Sequence, residues 1–205
     1  MSTVLKLDKQ KLYTYADLLT WPENERWELI DGVPYLNGVA YGDPDSPHAM
    51  ASPNRKHQAI LVNLIWKFKE HLKDKVCEVY VVPFDVWLFA NADKRDDDND
   101  KTVVQPDLLI VCDLNKLEDG KGVKGAPDLV VEILSPSNSH HDTTIKFKKY
   151  REAAVPEIWF IDPDYSNIQV FRIKGGKYSV DFYNAEDIVP VGILPGFEIN
   201  MNDIF

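Results

Sequence analysis

The sequence predicts an α/β fold, read as a single domain over residues 1–205, in which a mixed β-sheet is flanked by helices and preceded by an N-terminal helix and a hairpin. Three observations predict it. Ile60, Leu61, Leu64, Ile65, Phe68 and Leu72 recur at helical spacing. From Cys77 onward the apolar period becomes two, the period of strands. The order of these patterns (helix, hairpin, helix, strands, helix, strands) is that of a mixed sheet covered by helices.

Each element follows from local chemistry. Thr14 with Asp17 three residues on is a capping-box variant, and it opens a short helix, TYADLLTW, that Pro22 ends. WELIDGVPYLNG reads as two short strands about an Asp-Gly turn. Pro44, Pro47 and Pro53 make Tyr41 to Asn54 a loop, after which the amphipathic helix runs from His57 to Leu72. CEVYVVPF and DVWLF are strands, followed by an acidic loop from Asn91 to Lys101. VVQPDLLIVC and PDLVVEILS are each read as one strand, with Gly120, Gly122 and Gly125 loosening the link between them. A helix from about Ser139 to Ala153 precedes the strands EIWFID, NIQVFRI and KYSVDFY. Trp66, Trp87 and Trp159 fall inside apolar elements and are assigned to core packing.

Composition narrows the function classes. No apolar run approaches the roughly 20 residues of a membrane span, and MSTVLKLDKQK lacks the apolar stretch of a secretory signal. The two cysteines, Cys77 and Cys112, each sit in an apolar stretch and read as buried free thiols of a cytoplasmic protein. The net charge of −10 counts against tight nonspecific affinity for nucleic acid. The stretch from Ser139 to Tyr178 is different: seven cations against five acids leave +2, so a polyanion, if one binds, should bind there.

Two acids stand out. Asp107 follows a proline at the entrance of one apolar strand, and Glu132 lies amid aliphatic residues in another. Strand parity puts Gln105, Asp107, Leu109 and Val111 on one face, and Asp128, Val130, Glu132 and Leu134 on another. A strand apolar throughout is buried on both faces, where an ionised carboxylate costs several kcal/mol unless a cation compensates. A metal, an arginine or a lysine would serve, and with no cysteine cluster nearby the metal would be magnesium or manganese. Periodicity alone leaves an ordinary ion pair equally open. In the following helix Ser139 is the expected N-cap, and Asp142, Lys146 and Tyr150 share one stripe, with Lys149 close by. That spacing fits either a lysine serving the acids or an i,i+4 pair on a solvated face. The adjacent His140 and His141 read as exposed loop residues, and Asp96-x-Asp98-x-Asp100 as a solvated acidic loop, Lys101 standing where a calcium loop needs glycine.

Several blocks occur in a recognisable order: ELIDG at 28–32, the histidine of RKHQ at 55–58, QPDLL at 105–109, APDLVVEILSPSN at 126–138, D-x-x-x-K-x-x-x-Y at 142–150 and VPEIWFIDP at 155–163. From about Tyr13 to Arg172 the chain resembles the Uma-two family of restriction-endonuclease-like proteins, in the PD-(D/E)XK nuclease superfamily. The resemblance implies a restriction-endonuclease-like core and a DNA endonuclease dependent on Mg²⁺ or Mn²⁺. It makes Asp107 and Glu132 the metal-binding acids and Glu28 an additional one. The superfamily's strand lysine is replaced here by Leu134, and in related nucleases a lysine of the next helix takes over, a position Lys146 fits. His57 matches the family histidine, and Gln105 stands next to the site. A homodimer would let both strands be cut. A non-catalytic module of the same fold, binding nucleic acid or protein, remains an alternative, as does hydrolysis of another phosphate ester.

Overall fold

The computed structural model describes residues 5–22, 25–41, 54–90, 96, 98–118, 120–135 and 139–205. The loop predicted within 41–54 and most of the acidic loop at 91–97 therefore lie outside the described residues. In chain order the elements are α1 Tyr15–Leu18, β1 Trp27–Ile30, β2 Val33–Leu36, β3 Val39–Ala40, α2 Arg55–Leu72, β4 Glu78–Val81 and β5 Asp85–Trp87. Next come β6 Val103–Val104, β7 Leu108–Val111, β8 Gly122–Lys124, β9 Leu129–Ile133 and a π-helical turn, His141–Lys146, that runs into α3 Phe147–Glu152. The chain continues with β10 Glu157–Asp162, β11 Asn167–Lys174, β12 Lys177–Asn184, β13 Ile188–Pro190 and β14 Glu198–Asn200.

Among the described residues the strands form two six-stranded mixed sheets and a small ribbon. One sheet has the order β3-β2-β1-β6-β5-β8, the other β12-β11-β10-β9-β7-β4, and β13 pairs with β14. The β9–β10 and β5–β8 pairs are parallel, while β7 and β4 run antiparallel to their neighbours. The second sheet is central. Leu108, Ile110, Leu129, Val131 and Ile133 turn one face of it toward the apolar stripe of α2, formed by Ile60, Leu61, Leu64, Phe68 and Leu72. Leu109, Val111, Val130, Ile158 and Phe160 turn the other face toward Val86 and Val104 of the first sheet and Tyr150 of α3. β9 is buried along its whole length, the condition expected of a strand covered on both faces.

Several local expectations hold. The Thr14 N–H donates to Asp17 Oδ2 at 3.0 Å, the capping-box contact. Asp31 and Gly32 close the β1–β2 hairpin with φ of 52° and 80°, the two positive values a type I′ turn requires. Among the described residues no helix is long and apolar enough to cross a membrane.

Other expectations are corrected. VVQPDLLIVC is two strands in two sheets: β6 pairs with β1 and β5, and β7 with β4 and β9. Pro106 has no N–H to give a ladder, and the chain changes sheet there. The glycine-bearing link contains a strand, β8, where a Cβ at Gly122 would stand 2.4 Å from the Asp85 carbonyl oxygen, so only glycine fits. Cys77 and Cys112 are joined in a disulfide and are not free thiols. Thirty-five residues separate them in sequence, but they flank the antiparallel partners Glu78 and Val111, which sequence spacing does not reveal. Trp66 is 59% exposed on the outer face of α2, whereas Trp87 and Trp159 are fully buried.

Candidate active site

Where the chain changes sheet, it brings together acids from four elements. Asp107 stands just before β7, Glu132 in β9, Glu28 in β1 and Asp142 in the π-turn, and all four are buried. They line a cavity of about 300 Å³ with Arg26, His57 and His141. At its edge lies Lys146, 1% exposed, with its ammonium 2.6 Å from Glu132 Oε1, 3.1 Å from Glu28 Oε1 and 3.8 Å from Asp142 Oδ1. Burial alone would lower the Lys146 pKa, but Glu132, Glu28 and Asp142 outweigh it and hold the pKa above the ordinary lysine value. Lys146 is thus a cation throughout the neutral range.

The carboxylates differ in what they touch. Asp107 Oδ2 accepts the Ile133 N–H at 2.8 Å and lies 3.2 Å from His57 Nε2, while Oδ1 has Arg26 at 3.9 Å. Burial raises its pKa, but His57, Arg26 and the Ile133 N–H more than offset this and lower it. Glu132 Oε1 takes both Lys146 and the Tyr150 hydroxyl, and no hydrogen bond reaches its Oε2 among the described residues. Burial, followed by the Asp107 and Glu28 charges, raises the Glu132 pKa despite Lys146. Both oxygens of Glu28 are occupied, Oε1 by the Gln105 N–H at 2.7 Å and by Lys146, and Oε2 by His141 Nε2 at 3.1 Å. These partners and Arg26 overcome burial and hold Glu28 well below the ordinary carboxylate value. Asp142 is pushed well above it, by burial first and then by Glu132.

The expected residues therefore meet, with three differences. Gln105 does not share a face with Asp107, because the break at Pro106 ends the parity. It reaches the site through its backbone, the N–H to Glu28 and the carbonyl to Arg26 and, at 3.5 Å, Lys146. Its side-chain Nε2 donates to Asp85 Oδ1 at 2.8 Å. His141 is not an exposed loop residue but 4% exposed, bonded to Glu28 and packed on the Tyr35 ring; His140 alone is exposed. The turn also starts before the predicted cap, since the Ser139 N–H already donates to the Ser135 carbonyl, and Asp142 faces Lys146.

The π-turn explains His141. In an α-helix a residue five before Lys146 points away from it, but a π-turn has i→i+5 bonding and brings it round. Asp142, Lys146 and Tyr150 nevertheless keep the predicted common stripe, since Tyr150 and Lys146 meet on Glu132. Arg26 was also missed, although it lies two residues before Glu28, the spacing that puts strand residues on one face. In the +2 stretch Lys148, Arg151, Lys174 and Lys177 are exposed, and the other three cations are engaged with acids. Lys146 and Lys149 are buried, the latter on Asp31 and Glu152, and Arg172 pairs with Glu157 and Asp181.

The donor set suits a hard divalent cation. Four carboxylates meet two permanent cations, Arg26 and Lys146, an excess of acid groups; burial first, and then the neighbouring acids, raises the pKa of Glu132 and Asp142. Asp107 Oδ1, Glu132 Oε2 and both Asp142 oxygens are left without a hydrogen bond among the described residues. Among those residues no three His, Cys, Asp or Glu side chains converge as a preformed cage.

Residues 15–202 match the sequence profile of the Uma2 family, described as "Putative restriction endonuclease". An uncharacterized protein, slr1290, of Synechocystis sp. (strain ATCC 27184 / PCC 6803 / Kazusa) is 29% identical over 135 residues, which span 65% of this chain and 60% of that protein. The crystal structure of a "putative nuclease belonging to DUF820" from Anabaena variabilis ATCC 29413 superimposes with a TM-score of 0.67. It covers 94% of this chain and 97% of the other at 20% identity, which establishes a shared fold.

Proposed function

Since the chain belongs to the Uma2 family of restriction-endonuclease-like proteins, we propose that it hydrolyses DNA phosphodiester bonds with the help of Mg²⁺ or Mn²⁺ held by Asp107 and Glu132. The observation that carries this reading is the excess of buried acid around a lysine, with one unengaged oxygen on each of those two carboxylates. The cation would polarise a phosphoryl oxygen and acidify a bound water.

The side chains have separable tasks in this reading. Lys146, kept cationic by its neighbours, neutralises charge that develops on the phosphoryl oxygens and is not the general base. Asp142, which lines the cavity and has no hydrogen bond among the described residues, is the acid placed to accept a proton from a water near the phosphate. Both Glu28 oxygens already have partners, and we assign it, with His141, to holding Lys146 in place. His57 and the Ile133 N–H fix the Asp107 carboxylate. Cutting both strands calls for two such sites, so two copies would pair on DNA.

Incubation of supercoiled plasmid with the purified protein and Mg²⁺ or Mn²⁺ tests the reading. Cleavage is expected, lost on chelation and reduced by about a hundredfold or more in Asp107→Asn and Glu132→Gln. One observation favours a second reading, a non-catalytic binding module: Lys146 already neutralises part of the acid cluster as an internal counter-ion. DNA or protein binding that needs no metal and survives Glu132→Gln, with no cleavage, would establish that alternative.

A further inference from the structure

A second cavity, of about 310 Å³, borders the same first turn of α2. Ile60, Pro163 and Phe205 give it an apolar floor, and Arg55, Lys56 and Ser166 line it as well. Tyr165, beside Ser166 in the chain, is 80% exposed. We propose that this groove holds the DNA strand flanking the scissile phosphate, with Arg55 and Lys56 on backbone phosphates and Tyr165 stacked on a base. The inference rests on the nuclease reading and names where its substrate lies.

Position is the first argument. Arg55, Lys56 and His57 are consecutive; the first two line this groove, and His57 lines the cavity holding Asp107 and Glu132. A strand that crosses the first turn of α2 passes from one to the other.

Charge is the second. The chain carries −10, and the buried cations of 139–178, Lys146 and Lys149, are already paired with acids. Arg55 is exposed and makes no ion pair among the described residues. Lys56 pairs with Asp164 at 3.0 Å, but the two side chains are 61% and 56% exposed. Such a pair is worth about 1 kcal/mol at most, so a phosphate can displace Asp164.

The lining mixes cations with apolar side chains, and the exposed Tyr165 adjoins its Ser166 in the chain. Cations beside an exposed aromatic and an apolar floor are how proteins track a polynucleotide backbone while stacking its bases. Asp162 Oδ1 accepts the Asp164 and Tyr165 N–H groups at 2.9 and 3.1 Å, which fixes the turn presenting Tyr165.

The test is fluorescence anisotropy of a short labelled DNA duplex with the full chain in EDTA, where binding is read without cleavage. Arg55→Ala and Lys56→Ala should each flatten the slope of log affinity against log salt by about 1. Asp164→Asn should tighten binding by freeing Lys56, Lys177→Ala on the β11–β12 hairpin should change nothing, and Tyr165→Ala should weaken a labelled single strand roughly tenfold. Wild-type binding or cleavage with these groove variants unaffected overturns the groove and leaves the nuclease reading standing. Equal competition by polyglutamate, with Tyr165→Ala silent, would assign the groove to an acidic protein and overturn it too. A wild-type protein that neither binds nor cleaves DNA overturns both.

Discussion

Lys146 is fully buried and contacts three acids. Removing one member of a buried ionic cluster leaves the others uncompensated, at a cost of about 3–5 kcal/mol. Lys146→Ala should lose that much stability in urea unfolding with EDTA present, and millimolar Mg²⁺ should restore part of it by replacing the lost charge. A loss below about 1 kcal/mol would show the cluster to be wetter and weaker than its burial indicates. Glu28 offers a pH test. Its native pKa lies well below the ordinary 4.5, so below that value the unfolded chain binds more protons than the native one. The stabilisation is present above pH 4.5 and lost as the pH falls through the native pKa. Glu28→Gln should therefore have a shallower acid limb than wild type when melting temperature is followed below pH 4.5; superimposable limbs would contradict the assignment.

Among the elements, the π-turn before α3 and the break before β7 do most to build the site. An alanine inserted after Thr144, an exposed residue within the turn, would put His141 and Asp142 six and five residues before the lysine in helical register and turn both away from it. Circular dichroism should show a folded protein, while plasmid cleavage should fall to the level of Asp107→Asn; a fully active insertion would show that the register of this turn is incidental. These two elements also mark what sequence reading could and could not reach. Glu132 was legible because an acid in a wholly apolar strand needs a partner, and Lys146 because the family blocks and the i,i+4,i+8 stripe agreed on it. His141 was not legible, since helical periodicity turns it away and only the wider turn brings it in. Gln105 was misplaced because parity assumes one continuous strand, and Pro106 ends it. β8, β13 and β14 are three residues each, too short for a period to show.

For the whole molecule, the α/β architecture was readable from pattern order, whereas the pairing of distant strands was not. The Cys77–Cys112 disulfide follows from the adjacency of β4 and β7, and it ties together the strand pair that leads into Asp107. Closing a loop of that length contributes about 3–4 kcal/mol in the chain-entropy account. Reduction by dithiothreitol, or Cys77→Ser, should lower the melting temperature by roughly 10 °C in a chain of this size; an unchanged value would mean that strand pairing alone holds this edge. Fold and acid balance converge on one central claim, that Asp107 and Glu132 together take a divalent cation. Calorimetric titration of the purified protein with Mn²⁺ measures it most directly. The account predicts saturable binding to wild type that is lost in both Asp107→Asn and Glu132→Gln but retained in Glu28→Gln. Binding that survives in Asp107→Asn and Glu132→Gln, or no binding to wild type at millimolar Mn²⁺, would contradict it.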